Sequence, residues 1–163
     1  MLPVAVFDID GVLADVRHRL HYVAKRPKDW RAFFAGAADD AELRRGTDLL
    51  RSLAATHEIR YLTGRPERLR AVTRDWLARL ELPTEPLAMR PNRDFRPSRV
   101  FKRDVLRTWL SDGTMIAVVV DDDSDVLAMV EGLGLAVVRA DWQATDEPQR
   151  TVLHDAQEDD GRT

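Results

Sequence analysis

Apolar positions along this chain come in two kinds of pattern that alternate. Leu2-Pro-Val-Ala-Val-Phe7 is a continuous apolar run that stops at Asp8-Ile-Asp10-Gly11, as in a strand buried on both faces of a parallel sheet. A polar stretch studded with Tyr22, Trp30, Phe33 and Phe34 follows, and short helices are predicted between Arg17 and Asp40. Leu49, Leu50 and Leu53 share one face of a helix predicted over 47–56. A second strand is predicted over 58–62, then a helix over 66–80 with Pro66 in its first turn. Residues 86–89 read as a short third strand, 90–99 as a Pro/Arg loop, and 100–110 as a helix. Residues 114–120 are the most strand-like of all and run straight into Asp121-Asp-Asp123. A helix over 124–133 and a strand over 135–138 close the alternation. Beyond Trp142 the chain turns polar and acidic and reads as a flexible tail.

Five strands with helices between them specify an α/β fold, a doubly wound parallel five-stranded Rossmann-like sheet. One domain is expected over 1–142, with a small helical cap inserted after the first strand at about 17–45, and a tail over 143–163. No internal repeat or linker divides it. The length, 163 residues with 44% apolar side chains, allows a core without covalent staples. The absence of Cys excludes disulfides, thiolate catalysis and Cys-ligated metals. No apolar run reaches the roughly 18 residues of a membrane span. A strand beginning near Leu2 leaves no room for a signal peptide, so a cytoplasmic protein without membrane contact is expected.

The net charge of −3 conceals an uneven distribution. Residues 60–107 carry 13 basic and 6 acidic side chains, and residues 108–163 carry 3 basic and 13 acidic. A solvated basic helix and an acidic tail account for this as readily as a polyanion site beside a metal site.

Ligands of doubly wound sheets bind at the strands' C-terminal ends, and there the polar residues gather. The first strand ends in Asp8-x-Asp10-Gly11, the second in Thr63-Gly64-Arg65, the fourth in Asp121-Asp122, and Lys102 stands at the start of a helix between the last two. Each motif alone suits a turn or a helix cap; their joint placement on separate strand ends is far more specific. Several carboxylates meeting at one point repel unless a cation lies among them. An all-oxygen ligand set favours a hard ion, and Mg²⁺ suits a site that keeps room for water and phosphate. A carboxylate can then attack phosphorus, and a second, two residues along an extended chain, lies on the same side to move the proton.

At these residues the sequence resembles the haloacid dehalogenase superfamily of phosphotransferases. The match runs in order through Asp8-Ile-Asp10-Gly11-Val12-Leu13, Leu62-Thr63-Gly64-Arg65, Lys102 and Asp121-Asp122. It implies Asp8 as nucleophile, Asp10 as general acid and base, Thr63 and Gly64 as phosphate binders, and Lys102 as the cation steadying the phosphoryl-enzyme. It places Mg²⁺ on Asp8, Asp10, Asp121 and Asp122. Within that superfamily, Tyr61–Pro66, Met89-Arg90…Arg96-Pro…Phe101-Lys102 and Val120-Asp-Asp…Met129…Leu133-Gly134 are similar to the phosphatase domain of polynucleotide kinase–phosphatases. That resemblance implies a phosphorylated nucleic-acid end, typically a 3′-phosphate, or a nucleotide as substrate. One departure is Asp123, where several relatives carry Arg. Another is that no Gly-x-x-x-x-Gly-Lys-Ser/Thr loop occurs, so any kinase or ligase activity would come from a separate partner.

Other roles remain open on the sequence alone. Asp122 either ligates the metal or caps the following helix, and Arg65 either reaches a substrate phosphate or forms a structural ion pair. Arg90 and Arg96 either line the entrance or are solvated loop residues. Arg17, His18 and Arg19 can line it too, whereas Trp30, Phe33 and Phe34 fit the core of the cap, and His57 and His154 have no evident role. Only a small cap fits between Asp10 and Thr63, which suits an open site and a bulky phosphate ester. A mononucleotide or small-metabolite phosphatase on the same scaffold is the alternative, and a non-catalytic phosphate-binding or regulatory module the lesser one.

Overall fold

The apolar run at the start of the chain forms β1 (Val4–Phe7), all four residues buried. The computed structural model describes residues 1–163. A two-residue hairpin, β2 (Ala14–Asp15) with β3 (Ala41–Glu42), brackets the cap. The cap holds a 3₁₀ turn over Arg17–Tyr22, α1 (Trp30–Ala35) and a second 3₁₀ turn over Gly36–Asp39. Then come α2 (Arg44–Ala54), β4 (Glu58–Pro66), α3 (Arg70–Arg79), β5 (Leu87–Arg90), α4 (Ser98–Ser111), β6 (Ile116–Asp121), α5 (Ser124–Gly132), β7 (Val137–Arg139) and α6 (Glu147–His154).

The main sheet has the order β5-β4-β1-β6-β7, and every pairing in it is parallel. This is the doubly wound α/β arrangement that the alternating pattern predicts. Alternation along β1 divides the core between the two faces. Ala5 and Phe7 pack with Leu50 of α2 and Trp76 and Leu77 of α3. Val4 and Val6 pack with Phe101 and Leu106 of α4 and Val126 and Val130 of α5. With both faces covered, β1 stops one residue before Asp8 and β6 ends in Asp121. No helix is long and apolar enough to cross a membrane.

Three local differences from the sequence expectation bear on the site. β4 does not stop at Leu62 but runs through Pro66, because Thr63 and Pro66 still pair with Met89 and Arg90 of β5. A 3₁₀ turn over Glu67–Leu69 then delays the expected helix to Arg70. The hairpin of β2 and β3 was not expected, since two residues per strand leave no periodicity to read.

Residues 143–163, expected as a flexible tail, instead fold back onto the domain. Asp146 and Gln149 form a reciprocal capping box at the start of α6, with Pro148 in the first turn. Leu153 and Ala156 bury against the core, and a π-helical turn over Asp155–Asp159 carries the chain across the strand ends. Sparse but correctly spaced apolar residues anchor a segment whose average composition is acidic.

Candidate active site

β1 and β6 deliver the central carboxylates. The amide of Asp8 donates to Val120 O at 3.0 Å, which continues the ladder one residue beyond β1 and fixes Asp8 beside Asp121. Asp8 Oδ1 accepts from the Ile9 amide at 2.8 Å. Lys102, on the second turn of α4, reaches both acids, with Nζ 2.7 Å from Asp121 Oδ2 and 3.1 Å from Asp8 Oδ2. Asp8, Lys102 and Asp121 are all buried. The half-buried Asp122 completes a group in which Asp8, Asp121 and Asp122 each offer an oxygen within 4.8 Å of the others.

Three acids and one ammonium leave the group short of positive charge. Burial, together with Asp121 and Asp10, pushes the Asp8 carboxyl up to about 7 despite Lys102. Burial also raises Asp121, and loss of water together with Asp121 and Asp8 raises Asp122 well above the ordinary range. Burial opposes the charge on Lys102, but Asp121 and Asp8 outweigh it and hold the ammonium ionised. Buried oxygen donors crowded in this way, and soft donors absent, fit a hard divalent cation.

Gly11 sets the position of Asp122. Its φ is +77°, and a Cβ there would lie 2.3 Å from Asp122 Oδ2. Only glycine allows both the left-handed turn after Asp10 and the close approach of that carboxylate.

Asp10 stands apart from the cluster in a second network. Arg65 donates from Nε at 2.8 Å and Nη2 at 2.6 Å to Asp10 Oδ1, and Arg19 Nη2 donates to the same oxygen at 3.1 Å. Both guanidiniums also bind Asp40, Arg65 through Nη2 at 2.8 Å and Arg19 through Nε at 2.8 Å and Nη2 at 2.9 Å. Burial opposes ionisation of Asp10, but Arg65 and Arg19 outweigh it and hold the carboxyl well below the usual range. Asp40, fully buried with its carbonyl accepting from Trp76 Nε1 at 2.8 Å, was not singled out from the sequence. No local signal marks Asp40, since Arg65 lies 55 positions from Asp10 and 25 from Asp40 and meets both only in the fold.

The remaining candidates divide clearly. Thr63 is buried beside Asp8's strand, its Oγ1 accepting from the Arg65 amide at 3.2 Å. Gly64 lies against Thr163, whose carbonyl carbon is 2.1 Å from where a Cβ would stand. Arg65 is in the ion pair and 1% exposed, with no surface to offer a substrate. Arg90 is equally buried, donating to Gly64 O at 2.9 Å and Arg96 O at 2.6 Å, so it shapes the Thr63–Arg65 loop from behind. Arg96 is exposed and saturated by Asp94 at 2.6 Å and Asp104 at 2.8 Å. Arg65 and Arg90 are thus buried among protein partners, whereas Arg96 stays exposed in its ion pairs with Asp94 and Asp104. Within the cap Trp30 stacks on Phe34, and Phe33 meets both rings edge to face.

The C-terminal segment reaches both networks. Thr163 Oγ1 donates to Asp10 Oδ2 at 2.5 Å, Gln157 Nε2 to Asp122 Oδ1 at 3.4 Å, and Arg99 pairs with the buried Glu158 at 2.5 Å. A cleft of about 470 Å³ opens beside Asp122, lined also by Ser124, Arg139, Gln143 and Arg150.

A parallel sheet in the order β5-β4-β1-β6-β7 with acids at the ends of its two central strands places the chain in the haloacid dehalogenase superfamily. More narrowly, residues 3–144 match the family described as the polynucleotide kinase PNKP phosphatase domain, and the chain belongs to that family. Among solved structures, Pnkp1 in a Pnkp1/Rnl/Hen1 RNA repair complex is 23% identical with a TM-score of 0.69, over 85% of this chain and 42% of that one. A class C acid phosphatase from Bacillus anthracis with tungstate bound is 16% identical at TM-score 0.61, over 95% and 79%. A haloacid dehalogenase-like hydrolase from Streptococcus pneumoniae is 14% identical at 0.63, over 97% and 92%. At these identities the likeness is one of fold, and the chain spans less than half of the Pnkp1 chain it matches. No curated protein matches the chain.

Proposed function

We propose that this domain is a Mg²⁺-dependent phosphomonoesterase acting on phosphorylated nucleic-acid or nucleotide ends, through a phosphoryl group carried on Asp8. The observation that carries the reading is the pairing of two unlike carboxylates two residues apart. Asp8 lies with Asp121 and Asp122 in the oxygen cluster that could hold a cation. Asp10 is held by Arg65 and Arg19 through Oδ1 alone, so the two acids meet different partners and Oδ2 of Asp10 is left to the site.

Asp8, Asp121 and Asp122, with the backbone carbonyl of Asp10, would hold Mg²⁺. The ion supplies positive charge that lets an anionic phosphate approach an anionic nucleophile. In the first half-reaction an Asp8 carboxylate oxygen bonds to phosphorus, the ester P–O bond breaks, and Asp10 gives its proton to the departing oxygen. Asp10 Oδ1 is taken by the arginines, so Oδ2 is the oxygen that carries this proton. A phosphate dianion beside Oδ2 offsets the guanidinium field and favours protonation. In the second half-reaction Asp10 takes a proton from water, the water oxygen bonds to phosphorus, and the bond to Asp8 breaks to release phosphate. Lys102, the Thr63 hydroxyl and the backbone N–H groups after Thr63 balance charge on the phosphoryl oxygens.

Membership in the PNKP phosphatase family supports a nucleic-acid or nucleotide substrate, as does the basic middle of the chain, where Arg68 and Arg93 are exposed. The test is phosphate release with Mg²⁺ from 3′-phosphorylated oligonucleotides, compared with mononucleotides and sugar phosphates. Preference for the oligonucleotide supports the reading. Preference for sugar phosphates replaces it with a metabolite phosphatase, and silence across the panel with a binding module.

A further inference from the structure

Residues 161–163 lie where a phosphate ester would have to enter. The Thr163 hydroxyl sits 2.5 Å from Asp10 Oδ2, the one oxygen of the proposed general acid that no arginine occupies. In the proposed reaction that oxygen faces the ester oxygen of the leaving group. The Thr163 backbone rests directly on Gly64, in the loop proposed to bind the phosphate. Thr163 is only 5% exposed, so it closes this side of a site that the short cap leaves open.

One residue earlier, the Arg162 guanidinium lies over two aromatic rings, 4.2 Å from the centroid of Phe95 and 5.3 Å from that of Trp30. Phe95 is 49% exposed even so. A planar group stacked on aromatic rings, followed at once by a hydroxyl on the general acid, has the layout of a nucleoside end. Stacking on aromatic side chains is how proteins hold a base without reading its sequence.

We propose that Arg162 and Thr163 hold the substrate's place. Phe95 and Trp30 form the stacking subsite for the terminal base, Asp10 Oδ2 receives the ester oxygen, and residues 155–163 are a strap that the substrate displaces. This rests on the phosphatase reading above and adds to it a base subsite and an occluded resting state.

The strap is held by contacts that can be weakened without touching the catalytic acids. Gly161 has a φ of +58°, and a Cβ there would lie 2.0 Å from Phe95 O. Glu158 pairs with Arg99 and Asp160 with Lys28 farther back. Gly161→Ala therefore disfavours the seated strap through its contact with the Phe95 backbone, and Arg162→Ala removes both stacking contacts while leaving that backbone as it is.

The experiment has two readouts. Amide hydrogen exchange over 155–163 is followed in the full chain, with and without a 3′-phosphorylated dinucleotide, in the Asp8→Asn background so that the ligand persists. Exchange in that segment should rise on ligand binding, and should already be raised in Gly161→Ala and Arg162→Ala. An unchanged or lowered rate on ligand binding would overturn the proposal. Kinetics on the same dinucleotide give the second readout. Apparent affinity scales with the fraction of competent molecules, so both strap variants should lower KM, by about tenfold where a tenth of the wild-type molecules are open. Phe95→Ala should instead raise KM for the dinucleotide and leave that for p-nitrophenyl phosphate unchanged. Raised KM in the strap variants would show that the segment is a wall of the site, and overturn the proposal. A silent phosphatase assay with ligand-induced exchange intact would overturn the activity and leave the strap standing.

Discussion

Arg65 binds Asp10 through a single carboxylate oxygen, Nε at 2.8 Å and Nη2 at 2.6 Å both meeting Oδ1. The other oxygen is thereby turned to the site. Arg65→Lys keeps the charge but loses the fork, and a lysine point charge cannot fix Asp10 and Asp40 together. Turnover should fall by about a hundredfold, the scale on which general acid–base catalysis contributes. Looser binding of Oδ1 raises the pKa of Asp10, so the acidic limb of kcat, set by Asp10 as the base of the second half-reaction, moves to higher pH. A pH–rate profile that falls in height without that shift would refute the positioning role.

Asp8→Asn should abolish phosphate release and leave the fold intact. The site already raises the Asp8 carboxyl to about 7 through burial, so a neutral amide of the same shape removes a buried charge rather than adding a defect. Melting in the absence of metal should stay near wild type. Residual turnover in this variant would exclude Asp8 as the nucleophile.

Proton and cation compete for Asp8. Because burial holds its folded pKa near 7, above the ordinary carboxylate value, the folded metal-free protein keeps a proton that the unfolded chain has lost. Its contribution to stability is therefore full at low pH and lost as pH rises towards 7. Mg²⁺ must displace that proton, so its affinity should rise with pH over the same interval. Titration calorimetry in two buffers of different ionisation enthalpy measures the protons released. Removal of the cation with EDTA should abolish turnover.

Gly11→Ala probes Asp122. A left-handed alanine costs about 1–2 kcal/mol, and its Cβ would press on Asp122 Oδ2. Mg²⁺ affinity should drop by more than the change in stability alone would give. Equal affinity in this variant would remove Asp122 from the metal site and leave it as a flanking carboxylate.

Asp40→Ala leaves Arg19 and Arg65 facing each other around Asp10 with one acid gone. Asp40 is fully buried and bridges both guanidiniums. Breaking such a network costs about 3–5 kcal/mol, and equilibrium urea denaturation should show it. A loss below about 1 kcal/mol, the range of a surface pair, would mean that Arg19 and Arg65 find other partners.

How far the sequence led depended on whether a signal was local. β1 and β6 announced themselves by apolar runs leading into acids and β4 by its Thr63-Gly64-Arg65 end, so the sheet was legible from strand ends, while Lys102 came from its place at the start of a helix between them. Arg90 and Arg96 could be read either as entrance residues or as solvated loop residues, because one dimension does not show what a charged loop near the site binds. Their partners, Gly64 O for one and Asp104 for the other, come from elsewhere in the chain. Asp40 was invisible for the same reason. It lies 30 positions from Asp10, and only the folded cap brings the two under the same guanidiniums. The C-terminal segment was the largest miss, and the capping residues Asp146 and Gln149 were its one local clue.

The cap's attachment decides what kind of element it is. Arg19 and Asp40 belong to the insertion between β2 and β3, and through Arg65 they are bonded to Asp10 itself. Swinging the insertion outward would drag Asp10 with it and strand two buried cations. It is a buttress and not a door. Any opening of this pocket has to be hinged elsewhere, and residues 155–163 lie across its other side.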